Sequence, residues 1–141
     1  MNLDISHLHH VLLKEIILNG YGLSIETLCD IFQQSKEDLI QCLKDFEEYH
    51  SVVLHPKTSE VWVIHPFSLS PTNFWVESAK GQWWGNCAWC SLGIAAIINE
   101  DVTITTTLGG ESKQIKFAIK DGKLIKDECL FVHFPIAMRN A

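Results

Sequence analysis

The chain changes hydrophobic period across His65-Pro66-Phe67-Ser68-Leu69-Ser70-Pro71-Thr72, a Pro- and Ser-rich stretch that reads as a linker and divides the sequence near residue 66. Upstream, apolar side chains recur at helical spacing. Leu8, Val11, Leu12, Ile16 and Leu18 predict a first helix between Ser6, a candidate N-cap, and Gly20, a stop. Ser24 opens a second helix carrying Ile25, Leu28, Cys29 and Phe32, and Ser35 with Asp38 opens a third carrying Leu39, Cys42, Leu43 and Phe46. Strands are expected over 52–54 and 61–64, giving three helices and a hairpin, the order of a winged helix. Downstream the texture is that of a sheet. Strands are expected over 74–76, 102–107, 114–119, 122–125 and 130–134, with a turn at Asp121-Gly122 and one apolar helix over 87–98. The fold class that follows is α+β: a winged-helix-like three-helix module over 1–66, then a core over 67–141 with a mixed β-sheet and a central apolar helix.

Charge narrows the partners. The formal net charge is −6, and the third helix carries Glu37, Asp38, Asp45, Glu47 and Glu48 against Lys36 and Lys44. A phosphate backbone needs clustered Lys and Arg, so neither nucleic acid nor an anionic membrane is expected as a partner, and the helical module is read as structural. Asp4, His7, His9 and His10 stand where a secretory leader would be basic and then apolar, and no apolar run reaches the roughly 18 residues of a membrane span. A cytoplasmic location is expected. Five cysteines in a reducing compartment read as free thiols or metal ligands rather than a disulfide framework.

Their placement carries the chemistry. In Trp83-Trp84-Gly85-Asn86-Cys87-Ala88-Trp89-Cys90, Asn86 is a good N-cap, which would put Cys87 in the first turn of a helix, where backbone N–H groups and the helix dipole favour a thiolate. Cys90, one turn later, shares its face. Cys129, Phe131 and His133 alternate along the last expected strand, so Cys129 could approach the helix thiols if that strand packs beside the helix. Two or three thiolates select soft ions, with Hg(II), Cu(I) and Zn(II) as candidates at Cys87, Cys90 and Cys129. Cys29 and Cys42 lie on apolar helix faces and read as packed side chains. His133 reads as a core histidine, and the five tryptophans as core and subdomain-interface residues, some of which could line the thiol site. A thioredoxin-type dithiol is disfavoured, since Ala88 and Trp89 separate the thiols and no parallel strand precedes them.

These residues resemble the alkylmercury lyase (organomercurial lyase) family. Its pattern is an aromatic-rich approach to a Cys-Ala-x-Asp helix start, then a later Cys on a short strand ending Val-His-Phe. Trp84-Gly85-Asn86-Cys87-Ala88-Trp89-Cys90 resembles the first element, Cys129-Leu130-Phe131-Val132-His133-Phe134 the second, and Pro66-Phe67-Ser68 with Pro71-Thr72 the approach to them. The resemblance implies cleavage of carbon–mercury bonds by protonolysis with no other cofactor, yielding a hydrocarbon and Hg(II) that other thiols remove. It implies Cys87 as the attacking thiolate and Cys129 as the second. Cys90 stands where the family has its aspartate, leaving it as proton donor or third ligand. The alternative is a non-catalytic protein that binds Hg(II), Cu(I) or Zn(II) through the three thiols. The family pattern continues well past the Val-His-Phe strand, so a divergent member, truncated or short at its C-terminus, is expected.

Overall fold

The computed structural model describes residues 3–126 and 131–132. Each of the three N-terminal helices starts where a short polar side chain can take an otherwise unpaired backbone N–H. Asp4 rather than Ser6 caps α1 (Ile5–Asn19), accepting the Ser6 N–H at 2.9 Å. Gly20 ends that helix in the left-handed conformation, at φ 75. Ser24 caps α2 (Ile25–Phe32) and Ser35 caps α3 (Lys36–Glu48), as their positions in the sequence predict. Leu8, Leu12 and Ile16 of α1, Leu28 of α2 and Leu39, Leu43 and Phe46 of α3 form one buried cluster. Burial of each such side chain contributes on the order of 1.5–3 kcal/mol.

The strands are β1 (Val52–Leu54), β2 (Val61–Ile64), β3 (Phe67–Ser68), β4 (Trp75–Ser78), β5 (Gly81–Gly85), β6 (Val102–Thr107), β7 (Gln114–Lys120) and β8 (Lys123–Lys126), with α4 (Ala88–Ile98) between β5 and β6. Among the described residues they form one sheet in the order β1-β2-β3-β5-β4-β6-β7-β8. Every pairing in it is antiparallel, so the sheet expected as mixed is antiparallel instead. The physical reason is the connections. Most consecutive strands are joined by short turns that reverse direction, and the two connections that do not, β3 to β4 and β5 through α4 to β6, each step over one intervening antiparallel strand, so no two neighbours run parallel.

The Pro- and Ser-rich stretch is not all loop, because β3 lies within it with Phe67 and Ser68 both buried. The sheet therefore runs on from β2 through β3 to β5, with Val63 opposite Ser68 and Phe67 opposite Gly85. Two side-chain bonds tie the hairpin to the helices: Glu60 Oε2 accepts the Ile25 N–H at 3.0 Å, and Glu47 Oε1 accepts the Leu54 N–H at 2.7 Å. Trp83 and Gly85, two apart on β5, share one face of the sheet. The Trp83 indole N–H donates to the Ile16 carbonyl of α1 at 2.8 Å, while Gly85 lies against Ser91 of α4, so both helices cover that face. Of the strand expected over 130–134, the described residues are Phe131 and Val132, which belong to no strand and are exposed. Among the described residues no helix is long and apolar enough to cross a membrane.

Candidate thiol site at the start of the fourth helix

The turn between β5 and α4 is fixed from both sides. The Asn86 N–H donates to the Pro66 carbonyl at 2.9 Å, the Gly85 N–H to the Phe74 carbonyl at 2.9 Å, and the Thr72 hydroxyl to the Gly85 carbonyl at 2.6 Å. Gly85 is required by the close approach of strand to helix. A Cβ there would fall 2.9 Å from the Cβ of Ser91 and 3.1 Å from its backbone nitrogen. Ser91 is fully buried, and its hydroxyl donates to the Ala88 carbonyl at 2.6 Å, which tightens the first turn of α4.

Cys87, not Asn86, is the N-cap of α4. Its backbone is extended (φ −152, ψ 178), and its Sγ accepts the Cys90 N–H at 3.2 Å, the bond a Ser or Thr oxygen makes at the same position. The sulfur thus sits at the positive end of the helix, where negative charge is favoured. Cys90 Sγ lies 2.9 Å from Cys87 Sγ. Burial, reinforced by the hydrogen bond and the charge of Cys87, pushes the Cys90 thiol up to about 12. A thiol at that value is ionised to roughly one part in 10⁵ at pH 7, so Cys90 keeps its proton.

His65 joins this pair. Its Nδ1 stands 3.9 Å from Cys90 Sγ, and burial, then the charge of His50, lowers its affinity for a proton, so the ring is neutral near pH 7. Sequence spacing gave no sign of this neighbour, since 25 residues separate it from Cys90 and only the β3–β5 pairing brings them together. Cys29 and Cys42 pack against the helical core as expected, and burial followed by the charge of Asp45 raises the Cys42 thiol. Trp89, between the two site cysteines, is 57% exposed. Cys129 and His133 lie outside the described residues. Among the described residues no group of three His, Cys, Asp or Glu side chains is arranged to hold a metal ion. The described part of the site is therefore a thiol pair with a neutral imidazole beside it.

Residues 67–141, more than half of the chain, match the sequence profile of the alkylmercury lyase family, MerB. Among solved structures, the crystal structure of the mercury-bound form of MerB2 superposes with a TM-score of 0.62 at 17% sequence identity. The superposition covers 87% of this chain and 66% of the MerB2 chain, so the chain spans just under two thirds of that length. That likeness establishes the fold. No curated protein is matched.

Proposed function

We propose that this chain, which belongs to the alkylmercury lyase family, cleaves carbon–mercury bonds by thiolate-assisted protonolysis. Residues 67–141 are the catalytic core, braced by the helical module of residues 1–66. Cys87 attacks the mercury of an organomercurial, and Cys129 supplies the second thiolate. Their electron density weakens the carbon–mercury bond, and the electron pair of that bond leaves with carbon. Cys90 delivers the proton that carbon takes, so the products are the hydrocarbon and thiolate-bound Hg(II). Small thiols in solution then remove the metal. No further cofactor enters the scheme.

The observation that carries this reading is the pairing of two thiols with opposite tendencies. One sulfur caps a helix and accepts a backbone N–H, while its neighbour at 2.9 Å is a half-buried thiol that holds its proton. The first suits a nucleophile and metal ligand, the second an acid standing where the family pattern has an aspartate. The same proximity also supports a second reading. A sulfur in the acid's place is one more soft donor, and such a site could retain Hg(II), Cu(I) or Zn(II) without turnover.

One assay separates them. The protein is incubated with phenylmercury and excess glutathione, and benzene is measured in the headspace. The lyase reading expects benzene from the wild type and none above background from Cys87→Ser. Retention of mercury without benzene would instead establish the binding protein.

A further inference from the structure

We propose that Cys87 and Cys90 are a redox-modification site: hydrogen peroxide joins them in a reversible disulfide that closes the thiol site to soft metals. The disulfide follows from the geometry of the pair; its effect on metals rests on the mercury-site reading above.

The helix cap brings the sulfurs together. Cys87 is the N-cap of α4, and its side chain folds back over the first turn to accept the Cys90 N–H. Cys90 is the third helical residue, and its Cα–Cβ bond, like every one in a helix, tilts toward the N-terminus. The two sulfurs therefore converge, at 2.9 Å. A disulfide spans about 2.05 Å, so bonding requires roughly 0.9 Å of approach. Side-chain rotation supplies a movement of that size while the backbone stays pinned, by the Asn86 N–H on the Pro66 carbonyl and by Gly85 against Ser91. Both thiols are half-buried rather than sealed in the core, which leaves them open to a small oxidant.

The Cys87 thiolate attacks one peroxide oxygen and the O–O bond breaks, leaving a sulfenic acid on Cys87 and a hydroxide that takes up the proton the thiol had released. The Cys90 sulfur then attacks the Cys87 sulfur. The S–S bond forms, the S–O bond breaks, and the hydroxyl leaves with the Cys90 proton as water. Two thiols lose two electrons and one peroxide becomes two waters. A thiol this close diverts the sulfenic acid from irreversible sulfinic acid, which serine or aspartate at position 90 could not do. Soft metals are ligated by thiolate, so the disulfide withdraws both sulfurs at once, and by linkage a metal already on them opposes the disulfide. Disulfides that arise in reducing compartments are usually transient ones of this kind. The bond is a lock on the site, distinct from thioredoxin-type turnover.

The test uses the full chain, reduced with dithiothreitol, freed of it and exposed to stoichiometric hydrogen peroxide, then mapped by mass spectrometry without reduction. The peptide carrying Cys87 and Cys90 is expected two hydrogens lighter and closed to alkylation, with both thiols restored by dithiothreitol. In Cys90→Ser and Cys90→Asp, Cys87 is expected to gain oxygen instead and to resist dithiothreitol. One equivalent of phenylmercury added before the peroxide is expected to keep the wild-type pair unlinked. Absence of the Cys87–Cys90 bond from the oxidised wild type, a bond from Cys87 to Cys129 in its place, or recovery of Cys87 in both variants as complete as in the wild type would overturn the proposal. A disulfide that forms equally well with phenylmercury present would uphold the oxidation chemistry while removing the mercury-site reading.

Discussion

Cys87 shows how a candidate functional residue can also be a structural one. Its sulfur accepts the Cys90 N–H at the N-terminus of α4, so replacing it changes chemistry and stability by separable amounts. Serine is a favoured N-cap and alanine is not. Cys87→Ser is therefore expected to keep the wild-type urea midpoint while losing mercury chemistry, whereas Cys87→Ala is expected to lose about 1 kcal/mol of stability as well. Equal midpoints for the two variants would show that the sulfur does not cap the helix. At this scale the sequence spacing brings two candidate thiols, Cys87 and Cys90, onto one helix turn and says little of their surroundings. By residue type Asn86 is the expected cap, yet its N–H is tied to the Pro66 carbonyl and Cys87 caps the helix instead. His65 was invisible because its relation to Cys90 depends on strand pairing. Cys129 lies outside the described residues, and its role stands on the family pattern.

At the scale of elements, the site depends on β5 bringing Gly85 against the first turn of α4. Gly85→Ala would place a methyl group 3.0 Å from the Ser91 Cα, which is backbone and cannot rotate away. Overpacking of this kind costs typically 1–3 kcal/mol, and here the strain falls on the turn that positions Cys87. Thermal unfolding is expected to show a lowered Tm for Gly85→Ala, together with weaker mercury binding; an unchanged Tm would mean the helix start can shift freely. β5 was the element least readable in the sequence. Its glycines at both ends resemble turn punctuation, and its two adjacent tryptophans face opposite sides of the sheet, so no simple alternation marks it. Helices with Ser caps and the Asp121-Gly122 hairpin were readable because their signals are local. Asp121 and Gly122 both take positive φ, as a tight two-residue hairpin turn demands.

Across the whole molecule, one sheet and one buried cluster link the helical module to the second half, with the Trp83–Ile16 bond crossing between them. Two histidines make that assembly sensitive to acid. Burial lowers the proton affinity of His9, whose Nε2 has no hydrogen-bond partner among the described residues, and burial with the charge of His50 does the same at His65. Both are held below the ordinary value of 6.5, so the unfolded chain binds more protons as the pH falls through that value. Stability is complete above pH 6.5 and is lost progressively below it. Urea midpoints at pH 7.5 and 5.0 are expected to differ by less in a His9→Gln, His65→Gln double variant than in the wild type, and an equal difference would assign the acid sensitivity elsewhere. The α+β class and the alternation of the second half were legible from hydrophobic period. The continuity of the sheet was not, because a strand of two residues inside a Pro- and Ser-rich stretch has no periodic signature.

The central claim is that a helix-capping thiolate and a proton-holding thiol act together on one carbon–mercury bond. Its most direct measurement is single-turnover release of benzene from stoichiometric phenylmercury, comparing the wild type with Cys90→Ser after confirming that both bind the compound. Loss of a positioned acid costs roughly 10²–10⁴ in rate. The account predicts benzene from the wild type and release at least about a hundredfold slower from Cys90→Ser; release from Cys90→Ser at the wild-type rate, or none from the wild type, would contradict it.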